Sequence, residues 1–171
     1  KKNRLLVLDT NNGEYKTVEL GKNAKPFEFL VVHCGAERLL AGSYYNVRVD
    51  ECKSAAFITN SYLEVYKKFK DTYLRDLNYE DFLKYEKKMP KNFAKRAHHF
   101  YNECNRVLRG EEAWANGDIV EFGKIVSESG KSSIDMYEAG SPYRSQQSCE
   151  SHGGVRIYGQ GGSPCVSILP Q

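Results

Sequence analysis

Apolar and polar positions follow two different rhythms along this chain, and the rhythm changes near Asn46. Before that point Leu5-Leu6-Val7-Leu8 is a short apolar run that ends in Asp9-Thr10-Asn11-Asn12-Gly13. Asn/Gly chemistry of this kind reverses a chain, so Tyr15 to Leu20 is expected to return as the second strand of a hairpin. Gly21 to Pro26 is a further loop, and Phe27 to Val32 is a continuous apolar run of the type expected for a strand buried on both faces. Beyond Asn46, Ala55, Ile58, Tyr62, Val65 and Phe69 recur at helical spacing and predict one long stripe. Asn78 is placed to cap a shorter helix, with Asp81 at its third position facing the positive end of the helix dipole.

Pro90 separates that helix from the next, predicted over about Lys91 to Leu108 with Phe93, Ala97, Phe100, Cys104 and Val107 as its buried stripe. Gly110 and Gly117 are expected to be stops, and Asp118 with Glu121 three residues on predicts a capped helix running to about Ser129. The order, sheet segments first and helices after, defines the fold class as α+β. After Gly140 the character changes: from Ser141 to Gln171 there is no lysine, and Ser, Gln, Gly and Pro dominate. The chain therefore divides into residues 1–140 and a divergent Ser/Gln/Gly-rich tail, 141–171.

Composition narrows the function classes. With 171 residues, 40% hydrophobic and 27% charged, the chain has the make-up of one globular domain with a real core. A net charge of +3 is too small to argue for nucleic acid. Lysines and aromatics do interleave from Tyr62 to Arg109, but acids offset much of that charge and a solvated helix face is the preferred reading. No apolar run approaches the roughly 18 residues of a membrane span, so no membrane partner is expected. Five cysteines without a CxxC pair suit reduced thiols in the cytoplasm, the expected location.

The chain is organised around Ser43 to Ala56, where a strand, a polar loop and a helix start follow one another. Such a corner offers free N–H groups and a positive dipole end to a ligand. Its loop also presents Tyr44, Tyr45 and Arg48, suited to hydroxyls and anions. Ser43 is an N-cap or a ligand with even odds, and Arg48 is expected to pair with Glu51 or Asp50 rather than with a ligand. Adjacent His98 and His99 point about 100° apart on a helix and with Cys104 match no compact zinc set, so no metal site is expected. His33 and Cys34 face opposite sides of a strand, which argues against a nucleophile–base dyad. The cluster Gly159 to Gly162 lacks the lysine and the following helix of a Walker loop.

Tyr45-Asn46-Val47-Arg48-Val49-Asp50-Glu51-Cys52 resembles the Tyr-x-x-Arg-x-x-Glu-Cys segment of galactokinases and galacturonokinases, members of the GHMP sugar-kinase family. Arg96-Ala97-His98-His99 through Leu108, Glu112 to Asp118, Phe122-Gly123, Ser132-Ser133-Ile134 and Tyr137 to Gly140 continue the resemblance in the family's order. It implies an incomplete GHMP-kinase-like fold and the carboxy-terminal part of a kinase that uses ATP and Mg²⁺ to phosphorylate the anomeric hydroxyl of galactose or a galactose-like sugar. Tyr45 aligns with the family's substrate tyrosine and is the one residue expected to contact the sugar.

The family's arginine-bearing sugar motif, glycine-serine-rich phosphate loop and catalytic aspartate have no match. Asp9 belongs to a turn and is not promoted to base. No catalytic, metal or cofactor residue is therefore assigned, and the chain alone is expected to be inactive. The rival is a non-catalytic sugar-binding or regulatory relative; galactose against galacturonate stays open. So does the origin of the tail, where Ile157 to Cys165 echoes the family's glycine-rich loop without matching it, whether by frame shift or by divergence. An incomplete sheet exposing apolar strand surface is expected to be poorly soluble.

Overall fold

A computed structural model describes residues 4–32, 45–138, 155–157 and 165–170. Strands β1 (Arg4–Leu8) and β2 (Tyr15–Glu19) form an antiparallel hairpin with Leu6 opposite Thr17. Its turn is closed by Gly13 N–H to the Asp9 carbonyl at 2.9 Å and by Asp9 N–H to the Glu14 carbonyl at 2.8 Å. Asp9 also accepts the Asn11 N–H on its carboxylate at 2.8 Å, so its side chain is taken up by the turn. Gly13 sits at φ +76°, a conformation a side chain would resist.

Strand β3 (Phe27–Val32) is not paired with this hairpin. It lies antiparallel to β5 (Cys165–Pro170), which in turn pairs with β4 (Val155–Ile157), giving the order β3-β5-β4. Two strands thus follow the helices, and the described parts of the tail supply the partner of β3. Strand β3 is an edge strand, and on it Phe29 is 54% exposed and Glu28 is exposed, which corrects the reading of a doubly buried strand. Continuous apolar runs signal burial only when pairing surrounds them, and pairing is non-local.

Helix α1 (Tyr45–Tyr62) ends where Glu64 takes φ +59° and Val65 N–H returns to the Asn60 carbonyl at 2.9 Å. That turn cuts the expected stripe: Val65 and Phe69 lie beyond the helix and are exposed, as is Tyr62. The face α1 buries is Ala55 of that stripe with Glu51, Ala56, Thr59 and Asn60, three of the five polar and invisible to hydrophobic periodicity. Ala55 and Ala56 pack with Leu74, Phe82, Met89 and Ala97 into the main core, and their small side chains let α1 approach α3 (Lys91–Asn116). Helix α2 (Tyr79–Tyr85) contributes Phe82 to that core; Asn78 stands at its N-cap position but makes no side-chain capping bond.

Helix α3 starts just after Pro90, as expected, but passes through Gly110 and ends at Gly117. Gly110 is buried against Phe122 and Ile125 of α4 (Ile119–Asp135). Gly117 takes the left-handed φ of +74°, and its N–H bonds back to Ala113 and Trp114. Of the predicted α3 stripe, Ala97 is buried while Cys104 and Val107 are exposed; the face in contact turns toward Arg96, His99, Ala113 and Trp114. Asp118 caps α4 by accepting the Glu121 N–H at 2.9 Å, and the helix continues past Ser129. A second core joins Trp114 and Ile119 to Leu5, Val18, Leu20, Ala24 and Phe27, docking the hairpin on the end of α3.

The tightest point of that docking is backbone against backbone. A Cβ on Gly21 would stand 2.5 Å from the Asn116 carbonyl carbon and 2.6 Å from the Ala115 carbonyl oxygen, and closer still to Gly117 N. Gly21 N–H also donates to the Trp114 carbonyl at 3.0 Å. Gly21→Ala is therefore expected to lower stability by about 2–3 kcal/mol, read by urea unfolding. An unchanged midpoint would show that the hairpin does not seat on α3 in this way.

Candidate functional site

The first turn of α1 is held by a group of charged side chains from three elements. Arg48 Nη1 donates to Glu51 Oε2 at 2.8 Å on α1 itself. From α3, Arg96 Nε donates to the same Glu51 oxygen at 2.6 Å and Asn92 Nδ2 to the other at 2.9 Å. Beyond the end of α4, Glu138 receives Arg96 Nη2 at 2.7 Å and Lys95 Nζ at 2.9 Å, while its carbonyl accepts Arg48 Nη2 at 3.3 Å. Arg96 Nη1 reaches the Met136 carbonyl. The Arg96 side chain is 1% exposed, so its guanidinium is a buried charge satisfied on every side by carboxylates and carbonyls.

Local sequence explains the placement. Arg48 and Glu51 are three apart and share a helix face, as do Asn92, Lys95 and Arg96 on the first turn and a half of α3. The approach of α1 to α3 over alanines brings the two faces together. Glu138 follows α4 with φ +53°, the left-handed region, which turns its carboxylate back toward α3.

The electrostatics follow from these contacts. Burial opposes the Glu51 charge, but hydrogen bonds from Arg96, Asn92 and Arg48 outweigh it and leave its pKa below the ordinary carboxylate value. Lys95 and then Arg96 pull Glu138 down to about 2. Burial likewise opposes the Arg96 charge, and Glu51 and Glu138 overcome it, raising its pKa further. Glu51, Glu138 and Arg96 are thus charged at neutral pH. Cys52, next to Glu51, is the opposite case: burial pushes its thiol up to about 11, so it is no nucleophile.

Tyr45 opens α1, one turn before Arg48; its side chain, like Ser43, His33, Cys34 and Gly159 to Gly162, lies outside the described residues. Arg48 pairs with Glu51 as expected, and Asp50 is exposed. The histidines part company: His98 Nε2 meets Glu86 at 2.7 Å and its Nδ1 the Tyr79 hydroxyl at 3.0 Å, whereas His99 Nδ1 meets Ser132 Oγ at 2.8 Å. Burial lowers the His99 pKa and keeps its ring neutral. Among the described residues no group of three His, Cys, Asp or Glu is placed to hold a metal, and no helix is long and apolar enough to cross a membrane. Glu51, Asn92, Arg96 and Glu138 were not expected as a unit. Glu51, Arg96 and Glu138 each lie in a segment that carries the family resemblance, but nothing in the sequence joined those segments into one cluster.

No family profile matches the chain. Its fold is that of a galactokinase: the structure of Lactococcus lactis galactokinase complexed with galactose superposes with a TM-score of 0.72 at 21% identity, over 98% of this chain and 43% of that one. In sequence, the chain is 34% identical over 142 residues to a galacturonokinase of Arabidopsis thaliana, covering 80% of this chain and 32% of that protein. It is 29% identical over 180 residues to a galactokinase of Enterococcus faecalis (strain ATCC 700802 / V583), covering 100% of this chain and 44% of that protein. In fold and sequence the chain is similar to part of the galactokinase-like sugar kinases, and it spans less than half the length of the curated relatives it matches.

The charge cluster predicts the response to acid. A carboxylate with a depressed folded pKa stabilises the fold above its unfolded value, so Glu138 loses its contribution as pH falls from 4.5 to about 2. His99, depressed by burial, begins to oppose folding once pH drops below 6.5. Melting temperature measured from about pH 8 to about pH 3 is expected to fall below the histidine value and then more steeply through the carboxylate range. Arg96→Met, which removes the charged donor shared by Glu51 and Glu138 and leaves Glu51 with Arg48 and Asn92, should cost about 2–3 kcal/mol in urea unfolding at neutral pH.

Proposed function

We propose that this chain is the carboxy-terminal part of a sugar 1-kinase that phosphorylates the anomeric hydroxyl of galactose or a closely related sugar. The observation that carries the reading is the joint similarity to a galacturonokinase and a galactokinase, across most or all of the chain. Tyr45 at the start of α1 takes the sugar: a phenol donates to or accepts from a ring hydroxyl while its face packs on the pyranose. The Arg48–Glu51–Arg96–Glu138 cluster supports that corner from behind and does not itself touch the substrate.

ATP with Mg²⁺ supplies the phosphoryl group in the intact enzyme. Phosphoryl transfer needs a phosphate cradle, ligands for Mg²⁺ and a group that orients the attacking hydroxyl. The described residues offer no such donor set, so no step of the transfer is assigned to them. The chain alone binds sugar without turning it over, in the cytoplasm where the sugar and ATP are at hand.

Sequencing the coding DNA on either side of this segment, then assaying the longer product, tests the reading. Flanking sequence that supplies a glycine-serine-rich phosphate loop and an aspartate, in a protein that makes sugar 1-phosphate from ATP and galactose or galacturonate, is the expected result. A longer product that binds either sugar and forms no ADP would instead make this a non-catalytic relative. One that binds neither sugar would end the sugar-kinase reading.

A further inference from the structure

Glu138 combines two features that are unusual in one residue. It is a non-glycine residue at φ +53°, a backbone conformation that side chains resist and that persists only where the surroundings over-determine it. It also reaches both α1 and α3 from outside either helix: its side chain holds Lys95 and Arg96, and its carbonyl takes Arg48. Among the described residues Arg48 meets little else. Beyond its bond to Glu51 and a 3.8 Å approach to the Glu138 carboxylate, its Nε is buried without a hydrogen-bond partner among the described residues. Of the bonds that the described residues give Arg48, the Glu138 segment supplies one.

We propose that Glu138 is a positioning residue: by fixing Arg48 and Arg96 it sets the place of the first turn of α1, and with it Tyr45. The inference rests on the reading of Tyr45 as the sugar contact. It assigns to the segment after α4 a part in sugar affinity, although that segment stands 93 residues from Tyr45 in the sequence (138 less 45). The link is a chain of direct contacts. Glu138 bonds Arg96; Arg96 and Arg48 share the Glu51 oxygen; Arg48 and Glu51 stand on the first two turns of the helix that Tyr45 opens. Shifting one guanidinium moves the other, because both compete for one carboxylate oxygen.

Two variants separate this role from that of a mere turn residue. Glu138→Gly frees the left-handed backbone of its side-chain conflict but deletes the carboxylate; Glu138→Gln keeps the side chain and removes its charge. If Glu138 serves only the turn, the glycine variant should be at least as well ordered as the parent. Positioning predicts the reverse for both: galactose binding by the 171-residue chain, read by calorimetry, weakens about tenfold or more. Amides Val49 to Cys52, whose hydrogen bonds close the first turn of α1, exchange about tenfold faster, while those of Ala113 to Asn116 at the far end of α3 keep their rates.

Unchanged exchange at Val49 to Cys52 in both variants overturns the proposal whatever the sugar result. If the parent chain takes no galactose, the sugar reading of Tyr45 falls on its own, and the exchange rates still decide whether Glu138 holds α1. Faster exchange without weaker sugar binding would show that the turn is held by Glu138 but that Tyr45 does not depend on it, which overturns the link to affinity.

Discussion

A guanidinium with almost no access to water is the constraint on which this fold depends. Arg96 sits where α1, α3 and the end of α4 converge, and a charge so buried is tolerable only if every donor finds an acceptor. Glu51 from α1, with Glu138 and the Met136 carbonyl from the end of α4, meet that demand, one acceptor for each guanidinium nitrogen. The three elements are therefore not free to slide: any shift that lengthens one of these bonds leaves a buried charge short of a partner. Apolar packing brings the helices together, since Ala55, Ala56 and Ala97 are interchangeable small surfaces; the ions set the register in which they meet.

Around that point the chain builds two cores with different jobs. One joins α1, α2 and α3 through Phe82, Leu74 and Met89 and carries the helix start that the sugar reading concerns. The other seats the hairpin and β3 against Trp114, Ile119 and Phe122, where ring-to-ring contacts at 5.9 Å and 5.3 Å tie Trp114 to Phe27 and Phe122. Helix α3 belongs to both and is the member that transmits position between them. Its run is unbroken through Gly110, where even a Cβ would meet Phe122 and Ile125 of α4 only at ordinary contact distances of 3.8 and 3.9 Å.

What could be read from the sequence was the chemistry that acts over a few residues. The Asp9-to-Gly13 turn, the start of α3 after Pro90, the stop at Gly117 and the Asp118 cap depend on local hydrogen bonds and backbone preference, and each stands where such chemistry puts it. Periodicity failed where the buried face is polar. Glu51, Thr59 and Asn60 on α1, with Arg96 and His99 on α3, are buried because partners 30 or more residues away satisfy them or because the helix cross-over excludes water. Gly110 misled for a related reason: a glycine inside a helix and a glycine at its end look alike until the neighbouring helix is placed. Strand β3 drew its partner from the tail, a pairing that apolar content alone does not encode. Tyr45 and Arg48 were found through the order of motifs, and the cluster behind them only through the structure.

The central claim is that Arg96 and Glu51 act as a unit that locks α1 to α3. A double-mutant cycle with Arg96→Met, Glu51→Gln and the pair, read by urea unfolding at neutral pH, measures that directly. The account predicts that the two losses do not add, with a coupling of about 2 kcal/mol or more, because each single change removes the same buried Arg96–Glu51 contact. Additive losses, with coupling near zero, would contradict it and leave the helices held by apolar packing alone.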